Sequence, residues 1–174
     1  MTMRVFGVAL LLLGIISVSP LAAAPPGGVS TVFHVTGEVT DRASFDLQKL
    51  EQLPPTNENV TYFAAGTVVT QSFTGALLWD LLQSVGIIVN PNVKNDILRK
   101  IVIVTGSDGY QSVFGAGEID PTFGGAQIIV AYAVDGQPLG QEGFARIVAP
   151  GDKAGGRFVS NIDSIEVRDP TDHD

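Results

Sequence analysis

From Ile101 to Asp169 the chain alternates short apolar runs with glycine-bearing turns, and that alternation admits few architectures. "KIVIVTG", "AQIIVAYAVDGQPL" and "FARIVAP" each read as a strand of ordinary length. "QSVFGAGEI" reads as an exposed strand passing into a loop, and "RFVSNIDSIEVRD" closes the domain with one or two more strands. Asp108-Gly109 and Asp135-Gly136 mark turns between these runs.

The upstream half is more mixed. Val32 to Val39 alternates apolar and polar residues, as a half-buried strand does. "SFDLQKLEQLPP" predicts a short helix capped by Ser44, with Leu47, Leu50 and Leu53 on one face and Pro54 and Pro55 ending it. "NVTYFAAGTVVTQSFTG" predicts two strands joined tightly near Ala65 and Gly66. "ALLWDLLQSVG" carries Leu78, Leu81, Leu82 and Val85 at the spacing of a buried helical stripe, and Gly86 suits the residue just past its end. "PNVKNDILRK" reads as a polar connector with one helical turn. Two or three short helices with about eight strands indicate an α+β single domain, mostly β, over residues 32–168. Residues 25–31 read as a linker and 169–174 as a disordered tail.

The first 24 residues are set apart. A weakly basic start, an apolar run from Val5 to Ile16 and an alanine-rich end at Ala22 to Ala24 have the order of a secretory signal peptide. The apolar run is shorter than the roughly 20 residues of a spanning helix, so no stable membrane insertion is expected after cleavage. The expected location is periplasmic or extracellular. Losing Arg4 with the leader moves the formal net charge from −8 to −9. Such an acidic chain is a poor match for nucleic acid or an anionic lipid surface, which select basic patches. The sequence contains no cysteine, which excludes disulfides, thiolate metal ligation and a cysteine nucleophile.

Chemistry-bearing patterns are few. Only His34 and His173 are present, one in a strand and one in the tail, so no histidine cluster or Ser-His-Asp triad is assignable. Ser107, Asp108 and Ser112 have no base. Glu118 and Asp120 read as a solvated loop rather than a glycosidase pair, and Trp79 as a packing residue on its helix. No catalytic residue and no metal ligand is assigned. The exception is "APGDKAGGRF", Ala149 to Phe158. Gly151, Gly155 and Gly156 allow close backbone approach, and successive N–H groups in such a turn form an anion-binding concavity. Lys153 and Arg157 add charge, with Arg146 in the preceding strand aimed at the same place. The candidate ligand is a small anion; no protein partner is legible.

The order of these segments resembles the molybdopterin-binding domain of the sulfite oxidase family over nearly the whole exported chain. "VTGEV…SFDLQKLEQLP" is similar to that domain's opening strand and short helix, and "FTGALLWDLLQSVGI" to a later helix. "AYAVDGQPLGQEGFARIVAPG" carries the most specific match, to a strand, an Asn/Asp-Gly-x-Pro-Leu turn and a Gly-Phe-x-x-Arg-x-Val-x-Pro-Gly strand. "GDKAGGRFVSNIDSIEV" resembles the segment that lies against the phosphate and pterin of molybdopterin. The resemblance implies a sulfite-oxidase-like fold and a pterin-phosphate cradle at Arg146, Gly151, Lys153, Gly155, Gly156 and Arg157. It also implies departures. The family's molybdenum-binding Cys falls on Ala64, its His on Glu142, where a phosphate would be repelled, and its Lys on Ser160.

Two readings follow: an exported oxidoreductase-like molybdopterin-binding domain without the usual sulfite oxidase chemistry, or a non-enzymatic binding or structural module that reuses the fold without a cofactor. Whether the chain is an enzyme stays open at this level. Export is checked by mass spectrometry of the mature chain, which should begin near Ala22 to Ala24; an intact Met1 in a membrane fraction defeats the expectation.

Overall fold

The computed structural model describes residues 27–171. The leader, residues 25 and 26 of the linker, and residues 172–174 with His173 lie outside the described residues. Ten strands and three short α-helices form two five-stranded sheets around one core, in agreement with an α+β, mostly β domain. The first sheet has the order β2-β1-β10-β5-β6. It comprises β1 (Phe33–Gly37), β2 (Ala43–Phe45), β5 (Ile101–Gly106), β6 (Gln111–Gly115) and β10 (Ile162–Arg168). The first and last of these pair in parallel, His34 opposite Ser164, and every other pairing is antiparallel. The second sheet has the order β3-β4-β7-β8, with β9 also on β7. Its strands are β3 (Pro55–Ala64), β4 (Thr67–Leu77), β7 (Ile129–Val134), β8 (Gln137–Pro138) and β9 (Arg146–Val148).

Turn chemistry accounts for the hairpins. Asp135 and Gly136 both take positive φ, +49° and +74°, as a two-residue turn between β7 and β8 needs. Ala65 and Gly66 do the same between β3 and β4. The expected stripe on α2 (Leu78–Val85) is buried in full: Leu78, Leu81 and Leu82 are inaccessible and Val85 nearly so. Trp79 is half-buried against the same core. Stacked rings of Phe33 with Phe45 and Phe144, at 5.5 and 5.6 Å, fill the space under the first sheet.

Several local expectations are corrected. The cap of α1 (Leu47–Leu50) is Asp46, whose carboxylate accepts from Lys49 N–H at 2.9 Å; Ser44 lies in β2 and meets His34 Nδ1 instead. Only one turn forms, so Leu50 is buried while Leu47 remains exposed. The stretch at Glu118 is helical, α3 (Ala116–Ile119), and not an open loop. Asp120 is buried, where it accepts from the Thr122 N–H and hydroxyl. The linker packs on the fold: Ser30 N–H donates to Asn161 Oδ1, and Ser107 Oγ to Gly28 O.

The expected tail also starts too early. Asp169 is buried, and Lys100, itself buried, places Nζ 3.0 Å from its carboxylate, 2.6 Å from Glu38 and 3.4 Å from Asp96. Arg99 adds a second cation beside Asp96 and Asp169 and meets the Thr171 hydroxyl. Hydrogen bonds from Thr171 hold the Asp169 carboxyl well below the usual carboxylate range, more strongly than its burial raises it, and Lys100 acts in the same direction. Burial alone would lower the Lys100 ammonium, but Glu38 and Asp169 outweigh it and push it up.

Two outcomes are expected. Leu81→Ala should cost about 2–5 kcal/mol in a denaturant titration; a change within error means the face is wrongly assigned. A depressed carboxyl contributes stability that is present above its unfolded pKa and lost as pH falls through that range. Stability should therefore drop between pH 5 and acid, and Asp169→Asn should reduce that drop. Equal acid limbs for the two proteins would show that Asp169 is not a principal source.

Candidate functional site

The loop from Pro150 to Arg157 leaves β9 and folds back along the end of β3. Asp152 N–H donates to Ala149 O at 3.2 Å, which closes a turn in which Gly151 has φ +94°, a region that favours glycine. Phe63 N–H donates to Lys153 O at 2.9 Å, and Phe63 bridges Ala154 in parallel. Ala64, next in the chain and half-buried, therefore lies alongside the loop. Gly155 to Arg157 form a 3-10 turn. A Cβ on Gly155 would sit 3.1 Å from the Tyr62 ring, whereas one on Gly156 would meet nothing within 4 Å. Tyr62 is fixed, with its ring 4.7 Å from Phe158 and its hydroxyl on Gln71.

Both arginines are paired with carboxylates of the chain. Asp152 grips the Arg157 fork with both oxygens, Nη2 at 2.7 Å and Nε at 2.9 Å. Glu118, from α3, takes Nη1 at 3.1 Å. The guanidinium also lies 4.8 Å over the Phe114 ring. Its pKa is raised above its already high value, first by Asp152 and then by Glu118, against the opposing effect of burial. Arg146 is mostly buried between the rings of Phe73 and Phe158, at 5.8 and 5.6 Å, and its Nη1 is paired with Glu142. Arg146 Nε is buried without a partner. Lys153 is exposed and makes no ion pair among the described residues.

The structure thus gathers Ala64, Gly151, Lys153, Gly155, Gly156 and Arg157 on one side of the fold, but not around one point of positive charge. Arg146 and Arg157 share no partner. Glu142 does not stand free to repel an anion; it neutralises Arg146. Ser160 lies in an adjoining polar cleft of about 350 Å³ with Ser107, Asp108, Tyr110, Phe158, Asn161 and Gly27, a lining with one carboxylate and no cation. Sequence reasoning missed the two carboxylates on Arg157. Asp152 stands five residues away and was legible as a loop-spanning pair; Glu118 is 39 residues distant and gave no local signal.

The match to known proteins agrees with this frame. The profile of the oxidoreductase molybdopterin binding domain covers residues 29–173. The chain belongs to that family. Its fold is similar to the sulfane dehydrogenase SoxCD from Paracoccus pantotrophus, with a TM-score of 0.64 and 19% identity over 79% of this chain. The chain spans 38% of the length of that SoxCD chain. No curated protein sequence matches. Among the described residues no cluster of acidic residues and histidine could hold a metal, and no helix is long and apolar enough to cross a membrane.

The residues present do not fit a molybdopterin held in the manner the resemblance implies. Ala64, to which the resemblance assigns the thiolate position, carries a methyl group, and the two arginines that the resemblance assigns to the phosphate have carboxylates of this chain on them. The loop's own packing is testable. Gly155→Ala should destabilise the fold by about 1–3 kcal/mol through overpacking on Tyr62. Gly156→Ala should be neutral within about 1 kcal/mol. Equal effects in thermal unfolding would show that the contact with Tyr62 does not constrain the loop.

Proposed function

We propose that this chain is an exported, non-catalytic member of the molybdopterin-binding domain family, a binding module that performs no thiolate-dependent sulfite oxidation. The observation that carries the reading is Ala64, half-buried at the end of β3 beside the loop that the resemblance makes the cofactor cradle. A methyl group has no lone pair to give a metal, and the chain has no cysteine that could substitute from elsewhere. The two arginines near the loop are paired with carboxylates of the chain, which supports a scaffold role over turnover.

A second reading keeps a pterin without a protein thiolate. It is favoured by the partnerless Nε of Arg146 and the free ammonium of Lys153. Elemental analysis of protein from its native exported compartment separates the two. Molybdenum far below one per chain, with no sulfite-dependent reduction of an artificial acceptor, is expected. Near-stoichiometric molybdenum without sulfite turnover favours the second reading, and sulfite turnover by the unmodified chain overturns both. Ala64→Cys should bring no activity by itself, because Glu142 and Ser160 depart from the cofactor-side pattern as well.

A further inference from the structure

We propose that Asp152 and Glu118 are a built-in anion substitute, occupying on Arg157 the positions that a phosphate would take and so closing the loop to anionic ligands. The proposal deepens the reading of this chain as a non-catalytic module and rests on the same assignment of the loop.

Three observations converge. The first is occupation of the fork. A guanidinium offers five N–H donors, two of them a side-on fork at Nε and Nη2 and three more on the terminal nitrogens. Asp152 holds the fork bidentately, the arrangement a phosphate adopts with arginine, and Glu118 holds the remaining terminal nitrogen. Phe114 covers one face. An incoming oxyanion finds the fork taken and must compete with Glu118 for the terminal nitrogens.

The second is tethering. Asp152 is part of the same short loop and is fixed by its own N–H on Ala149, while Glu118 stands on α3, whose Gly117 and Glu118 carbonyls accept from Gly124 and Ala126. An internal carboxylate so placed competes at an effective concentration of order millimolar or above. A dissolved phosphate must displace two of them.

The third is repetition. Arg146 also has a carboxylate of the chain on it, Glu142, four residues earlier, which meets Nη1 beside the rings of Phe73 and Phe158. The adjoining cleft contains Asp108 and no cation. Two arginines, Lys153 and three carboxylates leave the loop with no net positive charge. The fold retains the arginines for packing on rings and for tying the loop to α3.

The test uses the folded chain and inorganic phosphate as the probe, titrated calorimetrically at fixed moderate salt. The wild type should give no saturable binding. Asp152→Asn with Glu118→Gln keeps side-chain shape, removes both charges and should bind phosphate at least about tenfold more tightly. Adding Arg157→Ala to that pair should abolish the gain. The single variant Glu118→Gln, whose side chain is about one-third exposed, tolerates the change most readily and should show a smaller gain. Wild-type binding as tight as that of the double variant overturns the proposal. So does the absence of a gain in Glu118→Gln and in whichever Asp152 variant folds, with folding judged by near-ultraviolet circular dichroism. The titration reads the ion pairs alone. Molybdenum content and sulfite turnover read the functional assignment, so failure of one is distinguishable from failure of the other.

Discussion

One buried ammonium ties this fold together. Lys100 Nζ stands immediately before β5 and contacts Glu38 just after β1 and Asp169 just after β10, so three adjacent strands are gathered at one end by one charge. Asp96 completes the set from the turn before β5. Burying such a group is costly unless its hydrogen-bonding positions are filled, and removing one partner strands the rest. The arrangement specifies geometry as much as it adds stability. It fixes the parallel pairing of the first and last strands, a contact between segments 131 residues apart that Asp169 N–H reinforces by donating to Glu38.

Two other cations are held in a related way. Arg157 joins the loop after β9 to α3, and Arg146 is set among the rings of the second sheet. In each case the guanidinium lies over an aromatic ring and pairs with a carboxylate of the chain, which offsets the cost of holding an arginine in a half-buried place. Lys100 and the two arginines therefore follow one rule: a buried or half-buried cation is accompanied by carboxylates of the same chain. An acidic protein can satisfy that rule cheaply, and in doing so it withdraws the cations from solution.

Legibility followed the range of the interaction. The α2 stripe was readable because a helix repeats every 3.6 residues and its four apolar positions lie within eight residues. The β3–β4 and β7–β8 hairpins were readable because Ala-Gly and Asp-Gly sit where positive φ is needed. Asp46 was passed over as a cap because Ser44 is an equally good capping residue two positions earlier; pairing of Ser44 with His34 in the ladder decided between them. α3 was read as a loop because four residues carry too little periodicity to register.

Composition and local pattern determined that this chain is a mostly β domain, cysteine-free and acidic, with a glycine-rich basic loop in a particular setting. The resemblance in chain order, and not composition, is what assigns Ala64 to the family's thiolate position. The fate of the loop's charges belonged to the tertiary structure. Asp152 lay within local reach of Arg157, but the second carboxylate depends on where Glu118 arrives after folding, and no local pattern encodes the meeting of residues 39 apart. The same holds for Lys100, part of what reads as a polar connector until β1 and β10 bring Glu38 and Asp169 to it.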